Sequence, residues 1–162
     1  MPALTEVIIY TDGAALGNPG PSGYGVVLLS GNNRAELSCG FRLSTNNRME
    51  LLAVIMGLQK LTKPCQVNVY SDSKYVCDAI NKDWIGGWQR RSWKKVKNTD
   101  LWKALLPLLL RHKVRFNWVK GHAGIPENER CDYLASTAAK ENAIEIDKGY
   151  EGLQEPKNPG LF

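Results

Sequence analysis

Long apolar runs are missing from this sequence of 162 residues, and cysteines are few and widely separated. No stretch approaches the roughly 20 apolar residues that a membrane-spanning helix needs, and the start at Met1 lacks the basic and apolar parts of a secretion signal. The four cysteines form no close pair like those of zinc or redox motifs: Cys39, Cys65, Cys77 and Cys131. We therefore expect a soluble, unexported, cytoplasmic protein with reduced thiols and no contact with membranes.

The size of the chain predicts one domain, because 162 residues with 43% apolar composition are enough for one core and too few for two ordinary ones. The formal net charge is +5, and a single segment carries all of it. Between Asn81 and Lys103, seven basic residues stand against Asp83 and Asp100: Lys82, Arg90, Arg91, Lys94, Lys95, Lys97 and Lys103. Such a localised excess predicts contact with a polyanion.

Apolar, β-branched runs alternate with helical patterns along the chain, which predicts an α/β fold with a mixed sheet and helices on both faces. We expect strands at residues 6–11, 24–30, 34–42, 66–71 and 114–120. Helices are expected at about 47–61, from 73, at 99–112 and at 126–140. The domain should span residues 1–150, and the Gly, Pro and polar content of residues 151–162 predicts a flexible tail.

Several positions carry sharper structural expectations. The first strand should end at Asp12. Asn46 or Asn47 should cap the helix that follows the hairpin, and Asn98 should cap a later helix that Pro107 kinks or splits. In the last strand, alternation predicts that Val114, Phe116 and Trp118 point inward.

Four acidic residues are candidates for a metal site, although each also has an ordinary interpretation. Asp12 and Asp72 follow strands, where aspartate commonly begins a turn. Glu50 lies in the first turn of an otherwise apolar helix, where it could complete a capping box with Asn47 or interact favourably with the helix dipole. Asp132 projects to the same side of the last helix as two polar neighbours, Asn128 and Glu129, which is typical of a solvated face.

If these four carboxylates met at one point, their repulsion would drive protons onto some of them. A divalent cation removes that repulsion, and Mg²⁺ or Mn²⁺ prefers oxygen ligands. Two such ions about 4 Å apart suit a displacement at phosphorus. The sequence alone does not establish that the four residues converge.

Five signatures follow one another along the chain: TDG at 11–13, GNPGP at 17–21, TNNRMEL at 45–51, SDS at 71–73, and VKGHAG at 119–124 with ENERCD at 127–132. In content and order they resemble bacterial ribonuclease HI, and the resemblance extends from about Leu4 to Tyr150. It implies a ribonuclease H-like fold, a five-stranded mixed sheet whose first three strands are antiparallel. It also implies a monomeric endoribonuclease that hydrolyses the RNA strand of RNA·DNA hybrids and leaves 5′-phosphate and 3′-hydroxyl ends, with no obligate protein partner.

The same resemblance assigns roles to individual residues. Asp12 would be the ligand shared by two Mg²⁺ ions, for which Mn²⁺ is a possible substitute. Glu50 and Asp72 would complete one ion site, and Asp132 the other. His122 would handle protons or help release the product. Asn128 would help to place that histidine or the attacking water.

Hybrid binding is expected at two places. The 2′-hydroxyls of the RNA strand call for short polar groups near the metals, a role that fits Asn18, Asn46 and Asn47, with Gly13 allowing close approach and Thr45 near a DNA phosphate. The second place is the basic segment, in which four tryptophans alternate with four cations: Trp84, Trp88, Trp93, Trp102, Arg90, Arg91, Lys94 and Lys95. It resembles the family's basic protrusion, which grips the DNA strand, but is shorter after Trp93; the ordinary interpretation is a solvated loop over a Trp core.

Three departures from the family pattern affect affinity rather than chemistry: Lys74 replaces a common glutamine, Leu43 a basic residue and Ile125 a second histidine. Lys74 remains a candidate substrate contact. Two alternatives stay open: a related metal nuclease such as a junction resolvase or integrase core, which would cut duplex DNA as fast as hybrid, and a module that binds hybrids without cutting. The presence of all four acidic residues argues against the binding module.

Overall fold

Residues 3–154 are described by a computed structural model, in which a mixed six-stranded sheet has helices on both faces. The strands are β1 (Thr5–Ala15), β2 (Gly20–Ser30), β3 (Asn33–Ser44), β4 (Cys65–Ser71), β5 (Lys113–Trp118) and β6 (Ala143–Glu145). The helices are α1 (Asn46–Gln59), α2 (Lys74–Asn81), α3 (Trp84–Arg90), α4 (Thr99–Arg111), α5 (Pro126–Glu141) and α6 (Lys148–Gln154). No helix within 3–154 is long and apolar enough to cross a membrane.

The strands lie in the order β5-β4-β1-β2-β3-β6. Strands β1, β2 and β3 are antiparallel neighbours, as the sequence predicts, whereas β4 pairs in parallel with both β1 and β5. The expectation of five strands was one short. The sixth, β6, pairs with β3 only at Gly40 and Phe41, and three residues are too few to produce a recognisable periodic pattern.

Alternate residues of β2 contact helices on opposite faces of the sheet. Val26 packs against Gly57 of α1, whereas a Cβ at Gly25 would lie 2.4 Å from the carbonyl oxygen of Cys131 in α5. On the first face, α1 is enclosed between the sheet and α4, which explains why it is apolar on nearly every side. All four cysteines are free, and three of them are buried.

Strand β1 does not stop at Asp12. Its parallel pairing with β4 ends at the pair Thr11 and Ser71, but its antiparallel pairing with β2 continues from Asp12 to Ala15. Asp12 therefore sits inside a strand, where the neighbouring strand holds its main chain.

The expected helix caps and one strand position also need correction. Thr45, not Asn46 or Asn47, caps α1, since its hydroxyl accepts a hydrogen bond from the Arg48 N–H at 3.2 Å. Asn98 precedes α4 but makes no side-chain cap bond, and α4 continues through Pro107 without splitting. Trp118 is 45% exposed rather than inward, because it ends an edge strand.

The predicted tail boundary falls inside a helix. α6 includes residues on both sides of Tyr150, so at least 151–154 are helical. The rest of the predicted tail, 155–162, lies outside the described residues, and its flexibility stays a prediction.

Candidate active site

Two aspartates are brought together by the register of neighbouring parallel strands. Thr11 of β1 lies opposite Ser71 of β4. The residues that follow them, Asp12 and Asp72, therefore lie at the same level of the sheet. The carboxyl ends of adjacent parallel strands are a common location for chemistry in α/β proteins. The pairing therefore places two carboxylates side by side.

Glu50 joins them because α1 lies directly against β1. A Cβ on Gly13 would lie 2.5 Å from the Glu50 nitrogen, so only glycine permits this approach. Asp12, Glu50 and Asp72 each present a carboxylate oxygen within 4.8 Å of the others. Asp132, from α5, lines the same cavity of about 410 Å³. The four predicted acidic residues thus face one space, three of them in a tight cluster.

The electrostatics of this cluster are unfavourable without a counter-charge. Burial raises the pKa of Asp12 to about 7, and the charges of Asp72 and Asp132 add to this, although the Gly13 N–H donates to the carboxylate at 2.9 Å. Burial, followed by the charge of Asp12, raises the pKa of Glu50 well above its ordinary value. Burial and the charge of Asp132 also raise the pKa of Asp72. Each carboxyl is hard to ionise beside the others.

The donor set fits a hard divalent cation. All the candidate ligands are carboxylate oxygens, which Mg²⁺ and Mn²⁺ prefer. Glu50 Oε2 is buried and has no hydrogen-bond partner among the described residues. A buried acceptor without a partner is costly, and a cation would satisfy it while cancelling the repulsion. The capping-box role for Glu50 is excluded, since Thr45 caps α1 through Arg48.

Five further predicted site residues line the same cavity as the carboxylates. They are the catalytic candidate His122 and four predicted substrate contacts: Gly13, Asn46, Asn47 and Lys74. Of these, Asn47, Lys74 and His122 are exposed, whereas Gly13 is buried and its close approach is to α1.

The remaining polar candidates do not line the cavity. Asn18 Oδ1 accepts a hydrogen bond from the Asn46 N–H at 2.9 Å, which orients the turn that presents Asn46. Thr45 acts as the helix cap. Asn128 is buried and does not line the cavity, and its Oδ1 has no partner among residues 3–154.

The basic segment combines an aromatic cluster with exposed cations. Trp88 contacts Trp84, Trp93 and Trp102, with ring centroids 6.5, 6.4 and 5.2 Å away, and Trp102 is fully buried. The four predicted phosphate contacts are all exposed, and none forms a salt bridge with a described residue: Arg90, Arg91, Lys94 and Lys95. The structure shows a buried Trp102, a Trp84 that is partly open to solvent and exposed cations, whereas a grip on the DNA strand stays a prediction.

Sequence reasoning missed two features near the site. Arg48, which lies in α1 between the cavity-lining Asn47 and Glu50, is buried and bonded to Asp100 and Asp147. A charged residue in an otherwise apolar helix was the available signal, but its partners are far away in the sequence. Trp118 was assigned to the core, whereas its indole N–H donates to the Asp72 carbonyl at 3.0 Å.

Comparisons with known proteins agree with this architecture. The RNase H family model matches residues 4–140. A protein of Desulforamulus reducens named Ribonuclease H is 56% identical over 149 residues, covering 89% of this chain and 94% of the relative.

Two solved structures are also similar. LC9-RNase H1, described as a type 1 RNase H with the type 2 active-site motif, has a TM-score of 0.78 at 30% identity, covering 97% of this chain and 83% of the other. LC11-RNase H1, solved in complex with RNA/DNA hybrid, has a TM-score of 0.62 at 28% identity, with 83% and 96% covered. With a family match across most of its length and relatives above 50% identity, this chain belongs to the ribonuclease H family.

Proposed function

We propose that this protein is an endoribonuclease that hydrolyses the RNA strand of RNA·DNA hybrids and leaves 5′-phosphate and 3′-hydroxyl ends. The observation that carries the proposal is the close group of carboxylates at Asp12, Glu50 and Asp72, which present oxygens within 4.8 Å of one another and whose pKa values are all raised, chiefly by burial. The similar LC11-RNase H1 binds RNA/DNA hybrid, which supports the same substrate class here.

The four acidic residues would hold divalent cations, with Mg²⁺ as the proposed physiological ion and Mn²⁺ as a possible substitute: Asp12, Glu50, Asp72 and Asp132. When bound, such ions would lower the pKa of an attacking water and neutralise charge on the phosphate and the leaving oxygen. Asp12 would be the shared ligand, since it belongs to the close group with Glu50 and Asp72 and lines the same cavity as Asp132.

Other residues around the cavity would select and handle the RNA strand. Asn46 and Asn47 present amides at the start of α1, where they could bond a 2′-hydroxyl, a group that DNA lacks. Asn18 supports this turn through the Asn46 N–H. His122 is exposed on a loop at the same cavity, where it could accept or donate a proton as product leaves.

Asn128, which is buried in the first turn of α5, would help to place His122 or the attacking water. The monomeric state and cytoplasmic location expected from the sequence stay predictions.

The test is cleavage by the purified protein of a uniformly labelled RNA·DNA hybrid, an all-DNA duplex and an all-RNA duplex, each with Mg²⁺, Mn²⁺ or EDTA. We expect only the hybrid to be cut, only with a divalent cation, into fragments that shift after phosphatase treatment. Asp12→Asn should abolish cleavage, whereas Asp78→Asn, a half-exposed aspartate of α2 outside the cavity, should not. Equal cutting of duplex DNA would favour a resolvase-like or integrase-like nuclease, and tight binding without cutting would favour a hybrid-binding module.

A further inference from the structure

Trp118 contacts two of the residues that line the carboxylate cavity, Asp72 and Lys74. It is the last residue of β5, and its Nε1 donates to the Asp72 carbonyl oxygen at 3.0 Å. The next residue strengthens the same connection, since the Val119 N–H donates to the Ser71 carbonyl at 2.9 Å. The end of β5 therefore fixes the main chain that carries Asp72.

The face of the same indole supports a cation. Lys74 Nζ lies 5.0 Å from the centroid of the Trp118 ring, within the range of a cation–π interaction. Lys74 also lines the cavity together with Asp12, Glu50 and Asp72. An exposed lysine ordinarily samples many rotamers, and a ring beneath its ammonium reduces that freedom. The indole thus keeps a positive charge beside a strongly acidic cavity.

A positive charge beside this cavity attracts a phosphate group. A phosphodiester that approaches the cavity faces several carboxylates, and a nearby ammonium supplies the opposite attraction. The Lys74 ammonium is a compact point charge, suited to a phosphate oxygen rather than to base recognition. Almost half of the Trp118 surface is exposed, so the ring and the ammonium are both accessible to such a ligand.

We propose that Trp118 is a positioning residue, which holds the Lys74 ammonium against a backbone phosphate of the hybrid and fixes the main chain at Asp72. This rests on the proposed function in taking a hybrid as the ligand. The phosphate contact itself needs no metal ion, so it can be measured separately from cleavage.

The first experiment measures hybrid binding in EDTA by fluorescence anisotropy at several salt concentrations. Lys74→Met should weaken binding by about 3- to 10-fold. The salt slope, which is the slope of the logarithm of the binding constant against the logarithm of salt concentration, should fall by about one released ion. Trp118→Leu should weaken it by about 2- to 5-fold, since the ammonium loses its support. The double variant should bind no more weakly than Lys74→Met alone, because the ring acts through the lysine.

The matched control is Lys113→Met, an exposed lysine at the opposite end of β5, which should bind as the wild type does. Additive effects of Lys74→Met and Trp118→Leu, or an unchanged salt slope in Lys74→Met, would overturn the phosphate contact. If Trp118→Leu fails to fold, Trp118→Met takes its place in the same comparison, since methionine also removes the ring beneath the ammonium while keeping a long apolar side chain.

Trp118→Phe separates the two parts of the proposal, since phenylalanine keeps an aromatic face but has no N–H. Binding in EDTA should stay within about 2-fold of the wild type, whereas kcat with Mg²⁺ should fall by about 10-fold as Asp72 loses its anchor. An unchanged kcat would overturn the positioning of Asp72. If the wild type binds the hybrid and does not cut it, the proposed function fails while the binding comparison still decides the role of Lys74.

Discussion

Arg48 donates two hydrogen bonds to Asp147, at 2.8 Å from Nε and 3.0 Å from Nη2, across 99 positions of the sequence. The same guanidinium donates to both carboxylate oxygens of Asp100, at 2.9 and 2.7 Å. Its side chain is only 1% exposed, and Ser44 adds a hydrogen bond to Asp147 at 2.6 Å. One buried cation therefore connects the starts of α1, α4 and the segment before α6, next to the turn that carries Asn46, Asn47 and Glu50.

Replacing the cation should be strongly destabilising. Arg48→Met leaves the buried Asp147 carboxylate without its main partner, and removing one member of a buried pair typically costs about 3–5 kcal/mol. We expect the free energy of unfolding in urea at neutral pH to fall by that amount. Arg42→Met is the matched control, because Arg42 pairs with Glu151 in α6 but is itself exposed; its effect should be much smaller. Equal losses in both variants would contradict a special role for the buried pair.

The same pair predicts a stability change at acid pH. Burial alone would raise the pKa of Asp147, but hydrogen bonds from Arg48 and Ser44 outweigh it, so the pKa lies below its ordinary value of 3.8. Arg48 likewise lowers the pKa of Asp100. A carboxyl with a lowered pKa stabilises the fold above the unfolded value, and that contribution disappears as pH falls through the folded value.

Unfolding should therefore be measured between about pH 2 and 5. The wild type should lose stability below about pH 4, and Asp147→Asn should show a shallower loss over the same range because one of the two linked carboxyls is absent. Parallel curves for the two proteins would argue that Asp147 is not linked to stability in this way.

In the carboxylate cluster, removing an ionisable group should stabilise the protein, in contrast to the loss of stability expected for Arg48→Met. Without a cation, Glu50→Gln should raise the melting temperature at neutral pH by about 2–8 °C, because it removes a carboxyl whose ionisation is opposed by burial and by the charges of Asp12 and Asp72. Mg²⁺ or Mn²⁺ should raise the melting temperature of the wild type but not that of Glu50→Gln, as binding to the folded state alone stabilises it. Scanning calorimetry of both proteins in EDTA, in Mg²⁺ and in Mn²⁺ tests the two expected changes in melting temperature.

A pH series in EDTA tests whether ionisation of the carboxylate cluster lowers the stability of the protein. A carboxyl with a raised pKa contributes stability below its unfolded value, and this is lost as pH rises through the folded value, which for Asp12 is about 7. Wild-type stability in EDTA should therefore decline from about pH 4 to 7, and the decline should be smaller in Asp12→Asn. A flat wild-type profile would mean that the cluster is not strained by its own charge.

Local sequence patterns were sufficient to identify the candidate acidic residues, but not to explain how they meet. An apolar run before Asp72 and a charged residue in an apolar helix at Glu50 were visible signals. Their convergence depends on the register that sets Thr11 opposite Ser71 and on the close packing at Gly13, both of which are tertiary features. The resemblance to a known family supplied the convergence that the residues alone left open.

The errors share a physical origin in long-range context. Alternation in the last long strand predicted an inward Trp118, but β5 is an edge strand and the indole of Trp118 bonds to Asp72. Asn98 was expected to cap a helix, yet its side chain instead bonds Arg48 and Tyr75, at 3.3 and 3.0 Å. In each case a partner distant in sequence outweighs the local preference.

The basic segment yields the last prediction, since its cations are free to meet a ligand. Arg90, Arg91, Lys94 and Lys95 are exposed, and the nearby tryptophans contact one another through their rings. Replacing all four with alanine should raise KM for the hybrid and flatten its salt dependence by up to about 3–4 ions, because each phosphate contact contributes roughly 0.9 to the slope. The value of kcat at saturating hybrid should stay unchanged, because none of the four lines the carboxylate cavity.

The matched control replaces four exposed lysines elsewhere with alanine: Lys60, Lys63, Lys113 and Lys140. This variant should keep the salt slope of the wild type, which separates a specific contact from a general effect of net charge. Equal flattening in both quadruple variants would mean that the hybrid responds to total charge and that this segment has no privileged role in holding it.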